Sequence, residues 1–278
     1  MQENVKDMFN LTDRVAIITG GAGLLGEKHS EAIAEFGGIP VLVDLDEEAA
    51  FKKALIIKEM FGVCAIGVKC DITNKKDVEN LKYKLIKEFG HIDILINNAA
   101  IDPKITNSLA EQPLSRFENY PEDIWDFELA VGLKGAFLCS QVIGTEMALH
   151  GKGVILNISS DLGVIAPDQR IYRKENLPDN MQPVKPATYS VIKHGLIGLT
   201  KYLATYWADR NIRVNALSPG GVYTNQPEEF VKKLTNLIPV GRMALLNEYK
   251  AAIVFLCSDG SSYMTGQNLV VDGGRTCW

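Results

Sequence analysis

Short runs of β-branched and aliphatic residues alternate along nearly the whole chain with longer amphipathic stretches, and no other feature constrains the fold as strongly. The apolar runs fall at 15–18, 39–43, 63–68, 92–96, 154–158, 213–217 and 269–271. Between them, apolar residues recur at helical spacing over 24–36, 47–60, 75–89, 124–150, 187–210 and 247–258. Strands that are apolar throughout need cover on both faces, and a parallel neighbour is reached only by a crossover long enough to hold a helix. The pattern therefore predicts an α/β chain whose seven strands build a parallel sheet. Asp46, Asn74 and Asn247 each precede an amphipathic stretch and are expected to cap it.

Composition removes several alternatives. With 46% hydrophobic and 23% charged residues in 278, the chain can bury a large core and is neither disordered nor collagen-like. A balance of 29 basic against 34 acidic residues, net −5, argues against a nucleic-acid surface as the main partner. Cys64, Cys70, Cys139, Cys257 and Cys277 form no CxxC pair, and the four histidines form no HExxH, so neither a disulfide framework nor a metal site is expected. The first ten residues are charged, and no run approaches the ~20 apolar residues of a membrane span. The expectation is a cytoplasmic protein with a small-molecule substrate and no membrane or nucleic-acid partner.

No repeat or linker divides residues 1–278, read as one domain behind a tail at 1–10. Two segments break the rhythm. Residues 101–121 follow the fourth strand run, and 167–186, with prolines at 167, 178, 183 and 186, follow the fifth. Both leave the carboxyl ends of strands, where open α/β sheets place ligands, so each is a candidate substrate lid or else a surface excursion.

The first run opens directly into Thr19-Gly20-Gly21-Ala22-Gly23-Leu24-Leu25-Gly26. Gly20, Gly23, Leu25 and Gly26 are candidate cofactor contacts, because glycines let backbone approach a pyrophosphate and a helix amino end offers unpaired N–H groups. A turn requiring glycine for steric reasons alone would look similar. Support comes 24 residues after Gly20, where the second run ends in Asp44. A carboxylate there can accept from both ribose hydroxyls of an adenosine and repels a 2′-phosphate, which favours NAD over NADP. Asp71 and Ile72 could grip the adenine. Asn98, Ala99 and Ala100 close the fourth run with small residues that admit a ribose and amides that can tie strands together. Ser159-Ser160 ends the fifth, and Tyr189 and Lys193 share one face of the long helix pattern that follows. Tyr83 and Lys87 have the same spacing, but only Tyr189 follows the serine-bearing strand.

In this order and spacing, TGGAGLLG, Asp44, Asp71-Ile72, NNAA at 97–100, NISS at 157–160, YSVIK at 189–193, NALSPG at 215–220 and DGG at 272–274 resemble the short-chain dehydrogenase/reductase family. The resemblance runs from about residue 11 to residue 274. It implies a single Rossmann-type doubly wound domain with helices on both faces of a seven-stranded parallel sheet, bound NAD(P), and hydride transfer between an alcohol and a ketone. It further implies that Ser160 orients the substrate oxygen, Tyr189 is the acid and base, and Lys193 lowers the tyrosine pKa and holds the nicotinamide ribose. Pro219, Gly220, Val222 and Thr224 fall on the nicotinamide-binding stretch. A phenol of ordinary pKa near 10 needs roughly 4 kcal/mol of differential stabilisation to act as a base near pH 7, which a neighbouring ammonium and the positive nicotinamide can supply. Members commonly associate through the two long helices, here around 126–150 and 189–210, which implies a homodimer or homotetramer.

Three departures stand against the family pattern. The middle glycine of its TGxxxGxG motif falls on Leu24, with an extra glycine at Gly23. Gly132 stands where many members carry an asparagine that holds a proton-relay water; a backbone-held water is expected to replace it. The gap from Ser160 to Tyr189 is 29 residues, about twice the usual, and the inserted stretch brings Arg170, Tyr172, Arg173 and Lys174 toward the substrate entrance. These cations either recognise an anionic substrate or are solvated loop charges. Tyr172 is nearer the usual distance from Ser160, but Asn176, not a lysine, lies four residues beyond it. GGAGLLG, VGLKG and APDQRIYRKENLP together resemble a bacterial branch associated with flagellin modification and surface-sugar biosynthesis, implying a sugar or activated-sugar hydroxyl as substrate. The competing readings are a 3-oxoacyl or small-ketone reductase, and a catalytically weak NAD-binding protein that Gly132 would favour.

Overall fold

The computed structural model describes residues 4–101 and 114–278. Its strands are β1 Val15–Thr19, β2 Ile39–Asp44, β3 Ile66–Lys69, β4 Ile94–Asn97, β5 Gly153–Ile158, β6 Ile212–Pro219 and β7 Asn268–Val271. All pair in parallel, in the order β3-β2-β1-β4-β5-β6-β7. The helices are α1 Leu24–Glu35, α2 Glu47–Phe61, α3 Lys75–Phe89, α4 Glu122–His150, α5 Ala187–Tyr206, α6 Glu228–Thr235 and α7 Lys250–Cys257.

The two-residue period of a strand sorts the core into two layers. Val15, Ile17, Val41, Val43, Leu95, Ile155 and Val214 face one side, against Val78, Leu81 and Leu85 of α3, Ile143 and Met147 of α4, and Leu203 and Ala204 of α5. Ala16, Ile18, Ile94, Ile96, Leu156 and Leu217 face the other, against Ala32 and Ile33 of α1 and Ile253 and Leu256 of α7. Helix α2 closes the same side further out, through Ala54 and Ile57 on Leu42. Strand order reverses at β1, between β2 and β4, and opens a crevice at the carboxyl ends of these strands.

Several boundaries depart from the sequence pattern. β3 starts at Ile66 because Val63 and Ala65 pack against α2 on the way out of that helix. α4 begins at Glu122 behind Pro121, with Glu122 and Asp123 suiting the positive end of its dipole. Within α4, Ala130–Lys134 and Ser140–Gly144 wind as π turns. By length and composition α4 could also cross a membrane, which corrects the expectation that no run approaches that size; here it packs against the sheet. Asp46 and Asn74 cap α2 and α3 by accepting from Ala49 N–H and Lys76 N–H. Asn247 caps nothing: a 3₁₀ turn, Leu246–Tyr249, precedes α7, and the Glu248 carboxylate reaches back to Leu245 N–H at 2.7 Å. The two-turn helix α6 has no counterpart in the sequence reading. In the tail, Val5–Met8 forms one helical turn, and most of the first lid candidate, 102–113, lies outside the described residues.

Buried amides tie the strand ends together. Asn97 Nδ2 donates to Asn157 Oδ1 at 2.9 Å and to Ser140 Oγ at 3.1 Å, and Asn157 Nδ2 donates to Thr200 Oγ1 at 2.8 Å. One network thus joins β4, β5, α4 and α5. Replacing Asn157 with Ala takes one hydrogen bond from each of two buried partners, Asn97 Nδ2 and Thr200 Oγ1, and is expected to lower stability by about 1–3 kcal/mol. Urea denaturation should show this as a lower midpoint with an unchanged slope.

Candidate active site

At the carboxyl end of β1 the chain must turn sharply, and Gly20 does so at φ +62°, in the left-handed region. A Cβ there would come within 2.9 Å of Ala99 Cα, so the loop and the end of β4 touch backbone to backbone. Thr19 and Asn98 lock this approach. Thr19 Oγ1 accepts from the N–H groups of Asn98 and Ala99, both at 3.0 Å, while Asn98 Nδ2 donates to Thr19 O at 2.9 Å and Gly20 O at 3.2 Å. Gly23 precedes α1 as its N-cap, and Leu24, at the family's middle-glycine position, is the first helical residue and stays exposed. Gly26 is a correction to the candidate list. A Cβ at this position would run into Gly20 O, so Gly26 seats α1 against the loop and does not line the cavity.

Asp44 closes β2 beside this loop. Ala22 N–H donates to its Oδ2 at 3.0 Å, so the carboxylate both braces the loop and lines the open space. Asp46 serves as the cap and Asp44 does not, which separates the two roles those neighbouring carboxylates could have exchanged. Asp71 is held in a side-chain turn, accepting from Thr73 N–H at 2.9 Å and Thr73 Oγ1 at 2.7 Å.

The two serines after β5 divide their work. Ser159 Oγ donates to Lys193 O at 2.7 Å and anchors α5 to the strand, while Ser160 reaches the cavity. Lys193 is buried, 4% exposed, and its Nζ donates to Ile158 O at 2.8 Å. Tyr189 stands one turn earlier on the same face, with Lys193 Nζ 5.6 Å from its ring centroid. A second cation was not foreseen: Lys185 Nζ lies 4.1 Å from the same centroid. Tyr83, of the other matching pair, is 67% exposed on α3 and lines no part of the cavity.

A single cavity of about 1170 Å³ unites these groups. Gly20, Gly23, Leu25, Asp44, Asp71, Ile72, Asn98, Ala99 and Ala100 line one end. Ser160, Tyr189, Lys193, Pro219, Gly220, Val222 and Thr224 line the other. A dinucleotide fits this arrangement, because Gly20 and Gly23 line the cavity with bare backbone and an acidic acceptor stands at the end of β2. The sequence reading missed Leu45, Cys70, Thr73, Phe230, Lys233 and Arg275 on the same wall.

The 167–186 segment is built onto the site. Gln182, buried, accepts from Lys174 N–H at 2.9 Å and donates to Lys174 O at 3.0 Å and Leu177 O at 2.7 Å. Ile171 joins Leu234, Ile238 and Met243 in a small core with α6, and Tyr172 meets Phe230 at 5.6 Å between ring centroids. Tyr172 and Arg173 therefore line the cavity, the latter also paired with Asp179. Arg170 does not: its side chain is 83% exposed and engages Asp168, which removes it from the candidate substrate contacts.

Gly132 lies buried in the first π turn of α4, and a Cβ there would stand 2.7 Å from Ile192 Cγ2. Ile192 fills the space an asparagine side chain would need.

Comparison with known proteins places this geometry among relatives. A family model described as short chain dehydrogenase matches residues 14–172, and one described as Enoyl-(Acyl carrier protein) reductase matches 180–276. An NAD-dependent glycerol dehydrogenase of Listeria innocua is 34% identical over 276 residues, 96% of each chain. A D-threitol dehydrogenase of Mycolicibacterium smegmatis is 33% identical over 273 residues, 96% of this chain and 95% of the relative. Among solved structures, a gluconate 5-dehydrogenase from Burkholderia cenocepacia in complex with NADP and tartrate superposes with a TM-score of 0.86 at 28% identity, covering 99% of this chain and 100% of that one.

Gly132→Asn is expected to destabilise the protein by about 1–3 kcal/mol through overpacking against Ile192. In Ile192→Ala protein the same change should cost less by about 0.5 kcal/mol or more, a coupling that a denaturation double-mutant cycle reads directly.

Proposed function

The chain belongs to the short-chain dehydrogenase/reductase family, and from that premise we propose that it transfers hydride between NAD(H) and a secondary hydroxyl or ketone of a sugar, polyol or sugar acid. The observation that carries the proposal is the shared cavity, in which the glycine loop and Asp44 lie at one end and Ser160, Tyr189 and Lys193 at the other. NAD is favoured because a carboxylate at Asp44 would repel the 2′-phosphate of NADP. Glycerol, threitol and gluconate dehydrogenases among the relatives support a polyhydroxylated substrate. Arg173, Lys174, Lys185 and Lys233, against Glu229 and Asp161, give the substrate end a positive balance that suits a carboxylate or phosphate on that skeleton. The narrower resemblance to the surface-sugar branch is the reason to count activated sugars in the same class.

The nicotinamide, when bound, supplies the hydride acceptor for an alcohol or the donor for a ketone. Gly20, Gly23 and Asp44 would hold its adenosine and pyrophosphate side, and Val222, Thr224 and Lys193 its nicotinamide side. Tyr189 Oη takes the alcohol proton during oxidation and returns it during reduction. Lys193 and Lys185 place positive charge beside the phenol, which favours the phenolate that base catalysis requires. Ser160 holds the reacting oxygen. Since Ile192 occupies the place of a relay side chain, a water on backbone carbonyls of the Ala130–Lys134 turn carries the proton onward.

Assembly as a homodimer or homotetramer belongs to this reading. It is supported by exposed Phe137 and Leu149 on α4 and by exposed Tyr202 and Tyr206, stacked at 5.8 Å, on α5. A reducing, cytoplasmic setting is supported by five cysteines that are all free thiols, three of them buried.

The test is a panel of glycerol, threitol, xylitol, mannitol, gluconate, sugar phosphates and nucleotide sugars, together with 3-oxoacyl thioesters, assayed with NAD and NADP. Turnover of a polyol, sugar acid or activated sugar with NAD preferred is expected, and Asp44→Ala should shift the NAD-to-NADP preference about tenfold toward NADP. Tyr189→Phe should lower kcat by about 10²–10⁴-fold. A thioester preference would favour the acyl reductase. Unreacted cofactor fluorescence, identical in wild type and Tyr189→Phe across the panel, would instead mark a binding protein.

A further inference from the structure

Beside the serine-bearing end of β5, two side chains 114 residues apart form a buried ion pair: Arg275 Nη1 donates to Asp161 Oδ2 at 2.6 Å. Their side chains are 6% and 5% exposed. The other carboxylate oxygen, Asp161 Oδ1, accepts from Ser160 Oγ and from Leu162 N–H, both at 2.8 Å, and Leu162 N–H also reaches Ser160 Oγ at 3.1 Å. A continuous chain of charge-assisted hydrogen bonds thus runs from Arg275 to the candidate substrate-orienting hydroxyl.

The arginine is presented by the turn after β7. Asp272 accepts from Gly274 N–H and Thr276 N–H, both at 2.8 Å, and Gly273 and Gly274 take φ +68° and +88°. The same turn presses on the nicotinamide-side stretch, where a Cβ on Gly220 would lie 2.8 Å from Asp272 Cα. Arg275 Nε is buried and makes no hydrogen bond to any described residue, so Asp161 is the anchor of the guanidinium. A carboxylate this deeply buried needs a counter-charge, and Arg275 supplies it.

We propose that Arg275 is a positioning residue for Ser160. By neutralising and aligning Asp161, it fixes the site of the serine oxygen, and the hydroxyl proton can turn from Asp161 to a substrate oxygen without that oxygen moving. The C-terminal turn is then part of the machinery that holds the substrate. This rests on the hydride-transfer reading of the site and not on which polyol is turned over.

The test compares two double variants, neither of which buries a lone charge. Asp161→Asn/Arg275→Met keeps an acceptor for the Ser160 hydroxyl, and Asp161→Leu/Arg275→Met removes it. With NAD and xylitol, or whichever panel substrate is turned over, the first is expected to retain kcat about tenfold to a hundredfold above the second, with equal NAD affinity in both. In Ser160→Ala protein the two should differ by about twofold at most, because the residue they act through is gone. Arg275→Lys should recover most of the activity that Arg275→Met loses. Equal kcat in the two double variants, or a difference that persists in Ser160→Ala protein, overturns the proposal.

Hydrogen exchange at the Leu162 amide supplies a readout that needs no turnover. Asp161→Leu/Arg275→Met should speed it by about tenfold relative to the asparagine variant. Equal exchange also overturns the proposal, whereas failure of every panel substrate overturns the functional reading alone.

Discussion

A parallel sheet leaves backbone groups at the carboxyl ends of its strands without a partner, and the rest of this structure depends on how those groups are satisfied. Here side chains from other elements do it. Thr19 and Asn98 take such groups where β1 meets β4, and Lys193 takes the last carbonyl of β5, while Asn97 and Asn157 add a side-chain bond between β4 and β5. The bonds of Asn98 and Lys193 also fix residues that line the cavity. Stability and site geometry therefore share the same residues at this end of the molecule.

The electrostatics follow from the same arrangement. In the interior, Lys193 Nζ donates to Ile158 O and Asp161 is paired with Arg275, so neither buried polar group lacks a partner. By contrast Glu128, also buried, is satisfied by hydroxyls, those of Tyr120 at 2.7 Å and of Thr188. Burial pushes the Tyr120 phenol up to about 12, which keeps it a neutral donor to that carboxylate. The end lined by Arg173, Lys174, Lys185 and Lys233 and the end lined by Asp44 and Asp71 share one cavity.

Much of this was legible from residue pattern. The seven strands, the glycine turn, Asp44 and the Ser160–Tyr189–Lys193 set depend on local periodicity and on motif order, which sequence displays directly. What escaped depends on tertiary proximity. Gly26 looks like a cofactor glycine until the position of Gly20 O shows that it packs a helix, and Arg170 looks like a substrate cation until Asp168 is seen to hold it. Asn247 is a reasonable cap by residue type, but it falls inside the 3₁₀ turn Leu246–Tyr249, which Glu248 closes by reaching back to Leu245 N–H, and the α-helix begins only at Lys250. Lys185 carried a weak signal, lying just before the helix that bears Tyr189. Arg275 carried none, because nothing local marks a residue three positions beyond Asp272 as a neighbour of β5.

Gly132 and Arg275 mark two different kinds of support around the same three residues. Near Tyr189, Gly132 presents bare backbone and Ile192 packs against it, so the contact is apolar and set by volume. Beyond Ser160, a buried charged pair ties the turn after β7 to the site. An apolar contact beside one part of the site and an ion pair beside another both bear on the elements that bring Ser160, Tyr189 and Lys193 to one cavity. The apolar support tolerates changes that conserve volume, whereas the ionic one tolerates only changes that remove or replace both charges, so the two constrain this chain's sequence in different ways.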